Sequence, residues 1–235
     1  MATSRCLVVM QPTFLPWAGY FNLIARADDF VVLDDVQLEK QSWQTRNRWI
    51  NGGQVQWIIA PVKNTHLGQT IAETEVLDGR HWRDKLTKGF AMNYGRHPHY
   101  SAAKEVLDRL VTAPEYRLAG LNEAVIRFIA GRLGLATRFH RSSNLGVQGI
   151  RSDRLVALCQ HFSAEEYLSP VGSAAYLAED GFAGRSPARL RFQEFVPQPY
   201  PQKGSATFQS HLSVVDVIAN LGWTKTRTYV ETGSA

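Results

Sequence analysis

The chain has 235 residues, of which 44% are hydrophobic, 20% charged and 11% aromatic, and 26 Lys and Arg against 21 Asp and Glu give a formal charge of +5. That composition excludes a disordered chain, which needs fewer apolar residues and more net charge, and the length is enough to bury a sizeable core. No apolar stretch approaches the ~20 residues of a spanning helix, and the cations are scattered rather than gathered into a basic arm.

Taken in chain order, "CLVVMQ" is a short apolar run that reads as a buried strand, expected over residues 7 to 11. Tyr20, Phe21, Leu23, Ile24 and Ala27 then recur at helical spacing, which predicts a helix over residues 19 to 27. "DFVVLDD" follows as a second buried strand, residues 30 to 34. Strand, loop, helix and strand in so few residues is the signature of a parallel sheet with a crossover helix. "VQWIIAPV" (55–62) is a further strand stopped by proline, and "TIAETEVL" (70–77) alternates as an antiparallel strand would. Three stretches with apolar stripes, at 81–95, 99–112 and 116–135, predict a helical section over about 80–135. The α/β rhythm then resumes. "TRFHRSS" is strand-like, "SDRLVALCQHF" is an amphipathic helix with Ser152 as its N-cap, and "EYLSP" is a short strand. "ARLRFQEF" (188–195) alternates as an edge strand, and "LSVVDVIANLG" (212–222) reads as a final helix ending at Gly222. The expected architecture is an α/β, Rossmann-like, mainly parallel sheet with a helical middle section, in one domain over 1–235.

In an open parallel sheet, ligands sit outside the carboxyl ends of the strands. "QPTFLPWAG" occupies that place after the first strand. Gln11 would bond a ligand, Trp17 and Tyr20 would stack on it, and Gly19 would open the helix N-terminus to a phosphate. The competing account is a proline-rich turn whose rings fill core. "DDVQLEKQSWQTRNRW" (34–49), expected as a loop, faces the same crevice. Its Asp34 or Asp35 would act as a base or a metal anchor, Lys40 and Arg46 would neutralise phosphate or developing negative charge, and Asn47 would hydrogen-bond a ligand. The competing account is a solvated loop laced with ion pairs. Gln11, Trp17, Tyr20, Asp35 and Arg46 are therefore expected to line one pocket. "RSSNLG" (141–146) adds Ser142 and Ser143 as phosphate binders after a strand, and Ser169 to Ser173 form a similar small-residue loop. His97 and His99 lack a third metal ligand, and His211, Ser213 and Asp216 lack the spacing of a catalytic triad. No metal site and no cofactor is expected.

The stretch "MQPTFLPWAGYFNLIARADDFVVLDDVQLEKQSWQTRNRWI" resembles the opening of the WbqC-like protein family. "HWRDKLTKGFAMNYGRHPHY", "RSSNL", "DRLVALCQHF", "EYLSPVGSAAYL" and "LSVVDVIANLG" are similar to later family segments in the same order. The resemblance implies a setting among genes for lipopolysaccharide O-antigen, other surface glycans and some natural products. The first 35 residues are also similar to the start of nucleotidylyltransferases, with Trp17 and Tyr20 standing where those enzymes place two histidines. Rings cannot stabilise a transferred phosphoryl group as those histidines do, so stacking on a nucleotide or a pantetheine-like arm is the expected use.

The resulting expectation is a cytoplasmic transferase-type enzyme acting on a nucleotide-activated sugar or an acyl or aminoacyl donor. A non-catalytic ligand- or carrier-binding protein of the same pathway is the alternative. The expected partner is a phosphorylated or nucleotide-linked small molecule, with a carrier protein as a further partner. Neither a membrane nor nucleic acid is expected, the latter for want of a clustered basic stripe. The N-terminus has no signal-peptide pattern, and both cysteines, Cys6 and Cys159, are expected to be reduced and buried.

Overall fold

The computed structural model describes residues 4–63, 65–77 and 80–235. The run "CLVVM" forms β1 (Cys6–Met10), and after the proline-rich turn comes α1 (Ala18–Arg26), then β2 (Asp29–Val32). β1 and β2 pair in parallel, Leu7 opposite Asp29 through Met10 opposite Val32, with α1 as their crossover, as the sequence predicts. An antiparallel hairpin follows, β3 (Arg46–Asn51) and β4 (Gln54–Ile59). β3 falls where a loop is expected. Its sequence alternates only weakly, but Gly52 and Gly53, at φ +60° and +82°, close the turn and align the two strands. Residues 70–77 form turns with isolated bridges instead of a strand, because the Glu73 carboxylate accepts from both the N–H and the hydroxyl of Thr70 and folds the segment on itself.

The middle section is helical as expected: α2 (Arg80–Tyr94), α3 (Tyr100–Thr112) and α4 (Leu118–Arg132). Then come β5 (Arg138–Arg141), α5 (Arg151–His161), β6 (Glu166–Ser169), α6 (Ala174–Glu179), α7 (Phe182–Arg185), β7 (Arg189–Phe192) and α8 (Val214–Thr232). Ser152 is not the N-cap of α5. Ile150 holds that position, and the Ser152 hydroxyl, inside the first turn, donates to Asp180 at 2.7 Å. Gly222 breaks the last helix at φ 70°, ψ 174° without ending it, and the chain resumes helical geometry to Thr232.

The sheet runs β5-β2-β1-β6-β7, all parallel, with β7 at an edge. Strand side chains alternate between faces. Val8, Phe30, Val32 and Leu168 pack toward α1, α4 and α8, while Leu7, Val9, Val31 and Tyr167 pack toward α5, α6 and α7. Burial on both faces explains why β1 and β2 read as continuous apolar runs instead of alternating ones. This is the expected Rossmann-like α/β sandwich, with α4 as the crossover into β5.

At the amino edge of the sheet, Asp29 is fully buried and accepts hydrogen bonds from Arg5, Arg138 and His140 at 2.8–3.0 Å. Burial alone would push its carboxyl up, but the bonds from Arg138, Arg5 and His140 outweigh it and hold the group well below the usual carboxylate range. A depressed carboxylate contributes stability that is complete above its unfolded value, about 4, and is lost as the pH falls below it. Melting temperature should therefore drop from about pH 4 downward. Asp29→Asn should cost roughly 1–3 kcal/mol at neutral pH and flatten that acid limb. An unchanged acid limb in the variant would refute the role of this cluster.

Cys6 and Cys159 are both buried and unbridged, Cys6 opening β1 and Cys159 on the inward face of α5. Burial pushes the Cys6 thiol up to about 12 and the Cys159 thiol up to about 11. A disulfide reagent at neutral pH should leave the native protein nearly untouched and titrate two thiols once it is unfolded without reductant. Rapid native labelling would contradict the burial of both.

Candidate functional site

The strand order reverses direction between β1 and β6, so the carboxyl edge of this sheet is where an α/β fold of this kind places its ligands. Four loops leave that edge side by side: Gln11 onward after β1, Asp34–Asp35 after β2, Ser142–Asn144 after β5 and Val171–Ser173 after β6. The loops after β2 and β5 are clasped together. Asp34 is buried, and its carboxylate accepts from the Ser142 hydroxyl at 3.0 Å, the Ser143 N–H at 3.0 Å and the Ser143 hydroxyl at 2.8 Å. Its own N–H donates back to the Ser142 oxygen at 3.1 Å. The same Ser142 hydroxyl lies 2.6 Å from Asp35, whose other oxygen accepts from Arg154. A serine has one O–H, so it serves one of these carboxylates at a time.

The amino-terminal half of α4 lies over this edge. Asn122, on its inner face, donates to the carbonyls of Pro12 and Gln44 at 2.9 and 2.8 Å, which docks the helix on the first loop. Glu123, one position on, is buried and held by Arg127 at 2.7 Å and Arg141 at 2.8 Å. Arg141 also stands 3.8 Å from Asp34. A cleft of about 370 Å³ opens beside it, lined by Asp34, Glu115, Arg117, Ala119, Gly120 and Arg141. At the start of α4, the Leu118 N–H donates to Thr74 and the Leu121 N–H to Arg117. Between them, the N–H groups of Ala119 and Gly120 have no acceptor among the described residues. One buried carboxylate oxygen of Glu115 is likewise without a donor. The residues lining this opening thus carry two guanidiniums, two carboxylates and two N–H groups without acceptors, a lining suited to a ligand with an anionic group and several hydroxyls. A second cleft, about 360 Å³, lies on the other side of Arg141 between Glu123, Arg127, His140 and Asn144.

The residues singled out in the sequence are spread over several different surroundings. Asp34, Asp35, Ser142 and Ser143 meet, and Asp34 reaches the first cleft. The expected common pocket of Gln11, Trp17, Tyr20, Asp35 and Arg46 does not form. Tyr20 is in the core, where burial pushes its phenol up, and its hydroxyl donates to the Gln11 carbonyl at 3.0 Å. Trp17 turns toward Phe195 and His211, in a crevice shared with Tyr200 and Phe208. Gly19 makes room for that indole: a Cβ there would stand 2.2 Å from the Trp17 ring. The Gln11 amide meets that of Gln44. Asn47 is buried and donates to the Phe14 carbonyl at 3.0 Å, while Arg46 stacks on Trp57 and Lys40 is exposed. His97 and His99 part company, the first bonded to the Lys203 carbonyl at 3.0 Å and the second packed on Gly222.

Arg117, Asn122 and Glu123 carry no sequence signal of a site, and Arg141 opens the "RSSNLG" stretch without being singled out in it. Arg117 and Glu123 read as the polar face of a helix, and Arg141 as the end of an edge strand. Only the placement of α4 over the carboxyl edge brings them to Asp34.

The chain is 30% identical over 218 residues to the uncharacterized protein Rv1507c of Mycobacterium tuberculosis (strain ATCC 25618 / H37Rv), covering 92% of this chain and 94% of that one. No solved structure matches it. The model of the WbqC-like protein family matches residues 11–228, from the loop after β1 to the last turns of α8. The match takes in all four loops of the carboxyl edge together with α4, and the chain belongs to the WbqC-like protein family.

Proposed function

We propose that the protein is a cytoplasmic transferase-type enzyme of surface-polysaccharide, lipopolysaccharide O-antigen, or related natural-product biosynthesis. Its donor is a nucleotide-activated sugar or a phosphate-bearing acyl or aminoacyl compound, bound in the cleft beside α4. The observation that carries this reading is the mixed lining of that cleft. Arg117, Arg141 and the N–H groups of Ala119 and Gly120 suit a phosphate, and the Glu115 carboxylate suits a sugar hydroxyl or an amine. The setting among glycan and natural-product pathways is what the family resemblance implies. One observation favours a second reading, a non-catalytic ligand- or carrier-binding protein. Asp34 and Asp35 are already engaged by Ser142, Ser143 and Arg154, which leaves neither free to act as a base without rearrangement.

Arg117 is the informative position. It is exposed, and its guanidinium bonds a carbonyl, that of Glu73 at 2.8 Å, so its removal should barely move the melting temperature. Calorimetry with a nucleoside-diphosphate sugar and with a phosphopantetheine compound should show Arg117→Ala weakening whichever one binds by roughly 1.5–3 kcal/mol, about ten- to a hundredfold. Unchanged affinity in that variant would remove the cleft from the account. Product formation from the bound donor separates the enzyme from the binding protein.

A further inference from the structure

The β3–β4 hairpin presents one face to solvent. Arg46 and Arg48 stand on it from β3, and Trp57 and Ile59 from β4, since Arg48 pairs with Trp57 and Arg46 with Ile59. Trp43, just before β3, joins them. The indoles of Trp43 and Trp57 are 47% and 45% exposed, with ring centroids 5.4 Å apart. Arg48 stands 5.7 Å from the Trp43 ring and Arg46 4.2 Å from the Trp57 ring. The result is a continuous run of guanidinium, indole, indole and guanidinium. Neither arginine forms an ion pair among the described residues, and Arg48 donates to a neutral acceptor, the His211 carbonyl, at 3.2 Å. The sequence supplies the reason: between Lys40 and Ala72 there is no Asp or Glu.

Two stackable rings flanked by unneutralised cations, in a stretch without acid, are complementary to a polyanion that carries flat rings. Arg46 and Arg48 are two residues apart on one strand, about 6.6 Å, a span comparable to adjacent backbone phosphates. The run is longer than one base and its phosphate. A second copy of the same positive face would be repelled. We propose that this hairpin face binds single-stranded nucleic acid, with bases stacking on Trp43 and Trp57 and phosphates held by Arg46 and Arg48. The face shares no residue with the lining of the cleft beside α4, and the proposal does not rest on the reaction proposed there.

The test is fluorescence anisotropy with labelled oligothymidylate and oligouridylate of about eight nucleotides, within the range covered by small single-strand sites. The expected result is binding of at least one of them, with affinity falling on salt addition at a log–log slope of about −1.4 for two phosphates. Trp57→Ala should weaken it about tenfold or more, Arg46→Gln with Arg48→Gln should flatten the salt slope, and Trp57→Phe should keep most of the affinity. Circular dichroism and melting temperature establish that each variant is folded. The proposal is overturned if neither oligonucleotide binds the folded wild-type protein, or if Trp57→Ala binds as wild type. Equal affinity for uridine monophosphate, or for polyglutamate, would overturn it as well, since the first needs no strand and the second needs no rings.

Discussion

The Asp34 carboxylate is the constraint on which the candidate site depends. It is buried at the mouth of the sheet, where an unpaired charge would cost several kcal/mol, and it is tolerated because three donors from the β5 loop meet it. Those donors come from Ser142 and Ser143, more than a hundred positions later in the chain. Satisfying Asp34 therefore fixes how the β5 loop leaves the sheet, and with it the position of Arg141. Arg141 in turn holds Glu123 on α4, so one buried charge sets the wall between the two clefts. The clasp is structural, but it gives the cleft its shape.

A second set of bonds fixes the helix from the other side. Asn122 bonds the carbonyls of Pro12 and Gln44, groups that the proline-rich turn and the loop before β3 leave without strand partners. The dense first loop, which looks in sequence like a ligand cradle, is largely occupied with such internal work. Tyr20 closes it onto Gln11, Asn47 closes it onto Phe14, and Trp17 leans away toward α8. Its chemistry is spent on holding α4 and the hairpin in place, and the open surface lies next to it.

The two ends of the sheet divide the electrostatics. The amino edge buries Asp29 among Arg5, Arg138 and His140, a fully paired cluster that stitches three chain segments together. Beside the carboxyl edge, a Glu115 oxygen and the N–H groups of Ala119 and Gly120 have no partner among the described residues. Both ends pair their buried charges, but only the carboxyl edge lies beside donors and acceptors without partners among the described residues, and those mark a surface that still has bonds to make.

Already legible in the residues are the parallel β1–α1–β2 unit, the helical middle section, the two buried thiols and the nearness of Asp34 and Asp35 to a loop edge. Each of these follows from local periodicity, because a strand buried on both faces reads as an apolar run and a packed helix as a stripe. The first 50 residues also carried the family. Tertiary structure alone decided which side chains share a surface. Gln11, Trp17 and Tyr20 lie within ten positions yet face different surroundings, since a turn rotates consecutive side chains apart. Asp34, Glu115, Arg117 and Arg141 converge from far along the chain. The hairpin face is the same lesson: Trp43, Arg46, Arg48 and Trp57 are scattered in a list of residues, and only the pairing register of β3 with β4 places them on one side.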